Sequence, residues 1–275
     1  MTAPEVERTL EVEGLSHRWL EHGEGAVAVL VHGIPTSPAL WRHVTPDLAG
    51  ARVLAWEMVG YGLSHAAGAD RDISVRAQAG YLRRWLEALG VDRAVLVGHD
   101  LGGGVVQIAA VQEPSRCSGL VLTNSIGYDS WPIPSVKLMR VLGPAIERTP
   151  TAPFRRVLDA FIAQGHDDRQ RARESAAAHW PSYDHPAGAA TFVRQIRSLR
   201  TADTLEVAPQ LPDLRVPAAV VWGAADRFQK LAYGQRLASD LHADLQTVEG
   251  AKHFMPEDHP REIAQAIRSV LERAS

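Results

Sequence analysis

Short, nearly unbroken apolar runs recur along the chain at Ala26-Val-Ala-Val-Leu-Val31, Arg52-Val-Leu-Ala-Trp56, Ala94-Val-Leu-Val97, Leu120-Val-Leu-Thr123 and Ala218-Ala-Val-Val-Trp222. A run with no polar face predicts a strand covered on both sides, as in a parallel sheet packed between helices. Between these runs the spacing changes to that of amphipathic helices. Ser74 to Gly90 places Val75, Leu82, Trp85, Leu86 and Leu89 on one face, with Ser74 set to cap and Gly90 to terminate. Gly104 to Gln112, closed by Pro114, and Pro260 to Ala274, with Ile263, Ile267, Val270 and Leu271 in register, predict two more helices. Residues 8 to 20 alternate apolar and polar around Gly14 and predict an antiparallel pair at the start, while Ala243 to Val248 predicts the last strand. Alternating strand and helix implies right-handed crossovers, a mostly parallel sheet, and ligands at the carboxyl ends of its strands.

The strand rhythm stops between about Tyr128 and Val207, where helical and loop patterns carry Trp131, His179, Trp180, Tyr183 and many prolines. The organisation expected is therefore an α/β core over residues 1–127 and 208–275, of about eight strands flanked by helices, with a helical lid over 128–207. Because the lid begins just past a strand end, it is expected to cover the carboxyl edge of the sheet.

One strand-to-helix junction organises the chemistry. The run Ala94–Val97 ends in Gly98-His99-Asp100-Leu101-Gly102-Gly103-Gly104. A residue at the apex of so tight a turn needs a strained backbone and small neighbours, and its side chain then projects into open space. A phosphate-binding turn has a similar outline, but an aspartate at its apex would repel the anion. The pattern resembles the nucleophile elbow of α/β-hydrolases, G-x-S-x-G, with aspartate in place of serine. A carboxylate is ionised at neutral pH and can displace a leaving group from an alkyl carbon to give an ester.

That ester would need hydrolysis, which calls for a histidine base held by a buried carboxylate. Asp226, just past Ala218–Trp222, and His253, just past the last strand, supply them in the expected chain order, with Asp129 as the rival acid. His32-Gly33-Ile34-Pro35 ends a central strand in a sharp turn that can leave the Ile34 amide free, so Ile34 and Leu101 are the expected oxyanion donors. His32, Gly33, Pro35 and His99 are expected to support these loops rather than react.

Taken together, His32-Gly33-Ile34-Pro35, Gly98-His99-Asp100-Leu101-Gly102-Gly103, Asp226 and His253 resemble the α/β-hydrolase branch of epoxide hydrolases and haloalkane dehalogenases, across the whole core outside the lid. The haloalkane dehalogenases place a tryptophan after the nucleophile and commonly an asparagine in the first loop, where this chain has Leu101 and Ile34. Fluoroacetate dehalogenases have an arginine at the position of Leu101. The resemblance thus implies an epoxide hydrolase first, opening a small epoxide to a diol, with ring-opening donors drawn from Tyr128, Tyr183, His179 and His185. It implies as alternatives a dehalogenase using lid donors such as Trp131 or Trp180, or a non-hydrolytic member that binds or rearranges a small molecule.

Composition narrows the partners. A 275-residue chain that is 45% apolar and 22% charged can bury one sizeable core. A formal net charge of -3, with no long basic block, argues against nucleic acid or an anionic membrane surface and for a small neutral organic substrate. The polar start, Met1-Thr-Ala-Pro-Glu, and the absence of apolar runs near ~18 residues predict neither a signal peptide nor a membrane span. The single cysteine, Cys117, cannot form an intramolecular disulfide. The expectation is a cytoplasmic monomer or homodimer that needs no cofactor and no metal.

Overall fold

The computed structural model describes residues 5–274, so the expectation drawn from the first four residues lies outside the described region. The strands are β1 (Val6–Val12), β2 (Leu15–His22), β3 (Ala26–Val31), β4 (Ala51–Trp56), β5 (Ala94–Asp100), β6 (Cys117–Ser125), β7 (Ala218–Gly223) and β8 (Asp244–Val248). They form one sheet in the order β1-β2-β4-β3-β5-β6-β7-β8. Only the β1/β2 and β2/β4 pairings are antiparallel. The expected class, a mostly parallel eight-stranded α/β-hydrolase sheet flanked by helices, is borne out.

Helices α1 (Val75–Ala88) and α2 (Leu101–Gln112) follow β4 and β5. Between β6 and β7 lie α3 (Pro134–Val141), α4 (Gly143–Ile146), α5 (Thr151–Gln164), α6 (Arg169–His179), α7 (Gly188–Arg197) and α8 (Ala202–Val207). The chain closes with α9 (Leu231–Asp240), α10 (Met255–Asp258) and α11 (Pro260–Ala274). Ser74 caps α1 by accepting from the Ala77 amide at 3.3 Å, and Gly90 follows it at φ +66°. Among the described residues, no helix is long and apolar enough to cross a membrane.

The sheet order positions the site. After β3 the chain moves to β4 on one side and then crosses to β5 on the other, so the loops leaving β3 and β5 diverge and open a crevice at their carboxyl ends. Ile34 lies just after one strand and Asp100 ends the other. β5 and β7 are buried throughout and β3, β4 and β6 toward their carboxyl ends, with Trp56, Trp85 and Trp222 among the largest enclosed side chains. Fully burying a large apolar side chain is worth about 1.5–3 kcal/mol, which anchors the strand ends rigidly.

Among the element boundaries that differ from the sequence reading, two bear on the site. Helix α2 starts at Leu101 rather than Gly104, immediately after the apex. Glycine is a poor helix former, yet here close packing requires it. A Cβ on Gly102 would come 2.1 Å from the Val31 carbonyl oxygen, and one on Gly103 would come 1.8 Å from Ser125 Oγ. Strand β6 runs on through Asn124 to Ser125, which matters for the acid described below.

Candidate active site

Asp100 occupies the apex with φ 49° and ψ -119°, a conformation that costs free energy for any residue with a Cβ. Its carboxylate is buried, and Oδ2 accepts from the Ile34 amide at 3.0 Å. The amide of Leu101, next in the chain, also favours the charged form of this carboxylate. Burial pushes the Asp100 carboxyl above its ordinary range, while His253 and these two amides pull it back. Gly33 permits the approach, since a Cβ there would meet Asp100 Oδ2 at 2.4 Å.

His32 fixes the first loop. Its Nε2 accepts from the Met58 amide at 3.2 Å, which leaves Nδ1–H to donate to the Gly33 carbonyl at 2.9 Å. Burial holds His32 neutral, with its pKa lowered to about 3. Beside Pro35, the Thr36 amide and hydroxyl also donate to Gly33 O, at 3.2 and 3.1 Å.

The second half of the site arrives from β7 and β8. His253 Nδ1 donates to Asp226 Oδ2 at 2.8 Å, and its Nε2 faces Asp100 Oδ1 at 3.9 Å, too far for a direct hydrogen bond. Burial disfavours the imidazolium, but the Asp226 charge and hydrogen bond, helped by Asp100, outweigh it and raise the His253 pKa. Asp226 is held in turn by the Phe228 amide at 2.7 Å and by Asn124 Nδ2 at 2.5 Å. Asn124, at φ +40°, accepts from the Gly223 amide at 3.1 Å and so ties β6 to β7 beneath the acid. Sequence reading missed Asn124, although it is a polar residue at the carboxyl end of a buried strand, the same signal that found Asp226.

His99 lies under this pair, fully buried, with its ring 4.7 Å from that of His253 and its Nδ1 donating to the Thr123 carbonyl at 3.2 Å. Burial, reinforced by the nearby His253 charge, lowers its pKa well below the ordinary value. The rival acid Asp129 accepts instead from Tyr233 Oη at 3.2 Å.

Above Asp100 is a cavity of about 30 Å³, lined from the core by Ile34, Leu101, Ile126, Phe228, Gln229 and His253. The inserted helices line its other side through Trp131, Pro132, Ile133, Val136, Phe161 and Leu199. The volume holds only one or two water molecules.

The polar residues expected to serve this cavity from the insertion are turned to other tasks. Tyr128 donates from Oη to Asp240 at 2.7 Å, beneath the Arg236 guanidinium at 3.7 Å from its ring. Tyr183 donates to Gln195 Oε1 at 2.8 Å, and Gln195 passes the chain on to the Gly60 carbonyl at 2.9 Å. His179 Nδ1 accepts from the Ser37 amide at 3.2 Å while Nε2 faces Glu257 at 3.3 Å. His185 stacks on His65, and Trp180 packs against Phe154 and Arg155. Trp131 does line the cavity, but its indole N–H donates to Thr204 Oγ1 at 2.7 Å. Tyr128, Tyr183, Trp131 and His179 Nδ1 thus each meet a partner within the protein, as a polar group inside an apolar helical layer requires.

An eight-stranded sheet with an apex residue after β5, an acid after β7 and a histidine after β8 defines an α/β-hydrolase. Residues 27–260 match the model of the alpha/beta hydrolase fold family, and the chain belongs to that family. Over 99% of its length it is 28% identical to the 2-hydroxymuconate semialdehyde hydrolase of Pseudomonas putida, covering 96% of that protein. A shorter stretch, 36% of this chain and 28% of the relative, is 38% identical to epoxide hydrolase B of Mycobacterium tuberculosis. Among solved structures, an alpha/beta hydrolase fold protein from Burkholderia ambifaria superposes with a TM-score of 0.89 at 27% identity, over 97% of this chain and 99% of that one.

Proposed function

We propose that this chain hydrolyses a bond between a saturated carbon and a leaving group in a small neutral substrate, through an alkyl ester on Asp100. The observation that carries this reading is the carboxylate at the elbow apex, gripped on Oδ2 by the Ile34 amide and faced on Oδ1 by His253. Attack on an acyl carbon by a carboxylate would give an anhydride, whereas attack on an alkyl carbon gives a stable ester that can be hydrolysed in a second step.

In the first step Asp100 Oδ1 bonds to the substrate carbon as the carbon–leaving-group bond breaks. His253 Nε2 then takes a proton from water, whose oxygen adds to Cγ of Asp100. The Ile34 and Leu101 amides hold the resulting oxyanion. Collapse releases the alcohol, protonated by His253, and leaves Asp100 as the acid, which loses its proton to solvent and returns to the carboxylate. Ester formation also removes the Asp100 charge that helps to raise the His253 pKa, so the histidine becomes a readier base when it is needed.

The leaving-group side separates the candidate substrates. An epoxide oxygen needs a proton as the ring opens, and Tyr128, Tyr183 and His179 spend their polar atoms elsewhere. A halide departs without a proton. The commitment of these polar atoms therefore favours carbon–halogen hydrolysis, while the local likeness to an epoxide hydrolase keeps ring opening as the second reading. We assign residues 128–207 the role of a lid, because its apolar side chains line one side of a cavity of about 30 Å³ over Asp100 that must widen to admit a substrate. A panel of short haloalkanes and epoxides, assayed for halide and for diol with wild type and Asp100→Ala, tests this reading. Halide release that disappears in Asp100→Ala is expected. Diol formation without halide release would select the epoxide, and turnover retained by Asp100→Ala would remove the nucleophile.

A further inference from the structure

Gln229 lies three residues beyond Asp226, in the turn between β7 and α9. Its backbone is pinned on both sides, because its carbonyl accepts from Trp222 Nε1 at 2.9 Å and the preceding Phe228 amide is held by Asp226. The side chain is only 2% exposed and lines the same cavity as Asp100 and His253. Yet its Oε1 is buried and has no hydrogen-bond partner among the described residues.

A buried amide oxygen without a donor carries its full desolvation cost, so its partner is to be sought in what enters the cavity. No neighbour in the lining can meet the need. The Trp131 indole N–H is committed to Thr204 and the His253 Nδ1–H to Asp226, and no donor among the described residues reaches Gln229 Oε1. The remaining walls, including Ile126, Val136 and Phe161, are apolar. A cavity with one unpaired side-chain amide, its Oε1 included, among largely apolar walls discriminates between substrates that can hydrogen-bond there and those that cannot.

We propose that Gln229 is a recognition residue whose Oε1 accepts from a hydroxyl group of the substrate, so that the preferred class is a short hydroxyl-bearing alkyl compound. This proposal rests on the reading of Asp100 as the alkylated nucleophile. A haloalcohol or a hydroxymethyl epoxide satisfies both residues at once, with its reacting carbon at Asp100 and its hydroxyl at Gln229.

The test uses substrate pairs that exchange only hydroxyl for methyl: 3-chloro-1-propanol against 1-chlorobutane, and glycidol against 1,2-epoxybutane. The wild type is expected to favour the hydroxyl member in kcat/KM, and Gln229→Met, of similar volume but with no amide oxygen, to reduce that ratio by roughly ten-fold or more. A wild-type preference for the methyl member overturns the proposal without any variant, as does a ratio unchanged in Gln229→Met. Rates of adduct formation in His253→Gln separate this claim from the one beneath it. Faster adduct formation from the hydroxyl member supports Gln229, equal rates overturn the role of Gln229 alone, and no adduct from any substrate overturns the nucleophile and the proposal with it.

Discussion

The carboxyl edge of the sheet and the inserted helices face each other across one small cavity, but they treat their polar residues in opposite ways. At the sheet edge the polar groups converge: Ile34 and Leu101 on Asp100, and Asn124 and the Phe228 amide on Asp226, which holds His253. In the insertion they diverge into separate structural pairs, Tyr128 with Asp240, Tyr183 with Gln195, Trp131 with Thr204. The difference has a physical origin. Parallel strands all end at one edge, so a polar residue just past any of them lands near the others. Helices in an insertion obey no such rule, and their polar groups take whatever partner burial demands. Chemistry is therefore assigned to the first region, shape and access to the second.

The sharpest way to break this contrast is to alter the acid. Asp226→Asn is expected to lower turnover by roughly three to four orders of magnitude, because the asparagine amide no longer stabilises the imidazolium formed in hydrolysis. Asp129→Asn, at a carboxylate that accepts from the Tyr233 hydroxyl, is expected to leave steady-state rates nearly unchanged. Reversed results would move the acid from β7 to β6.

A smaller effect sharpens the account of His253. The base must be neutral, so decay of the alkyl ester should rise with pH through the His253 pKa and level off above it. In the free enzyme that pKa is raised, with the Asp100 charge among its causes. Alkylation removes that charge, so the midpoint of ester decay, followed by quenched mass spectrometry, should lie below the free-enzyme midpoint measured from the His253 ring proton by NMR. A midpoint above it would contradict the coupling.

The mildest expected effects come from the insertion. Tyr128→Phe and Tyr183→Phe should each leave kcat within about two-fold, since neither hydroxyl meets the cavity. Tyr183→Phe should instead lower stability by about 1–3 kcal/mol in denaturant titrations, because Gln195 Oε1 loses its buried partner. A large loss of kcat with stability intact would return a tyrosine to the chemistry.

The same contrast explains what sequence alone could reveal. The apolar runs and the glycines around Asp100 announced the sheet and the elbow, because strand burial and close backbone approach each demand particular residue types. Asp226 and His253 were legible from their places after β7 and β8. Asn124 was hidden because the apolar run ends at Thr123 while the strand continues through a residue at positive φ. Gln229 was hidden because nothing in a turn sequence tells which side chain enters a cavity. The hydroxyls of Tyr128 and Tyr183 bond away from the cavity, and sequence could not tell this, since an aromatic hydroxyl looks alike whether it meets a substrate or, as Tyr128 does, an aspartate on α9.

The central claim, that the carboxylate of Asp100 is alkylated rather than acting as a base, is tested most directly by one turnover in heavy-oxygen water with enzyme in excess. Water attacks Cγ of the ester, so the heavy oxygen should enter Asp100, and the hydroxyl delivered to the product should come from the original carboxylate. Mass spectrometry of the peptide containing Asp100 should then show a gain of one heavy oxygen, with the first-turnover product unlabelled at its new hydroxyl. Heavy oxygen in the first-turnover product, with an unlabelled Asp100 peptide, would contradict the account and make water the direct nucleophile.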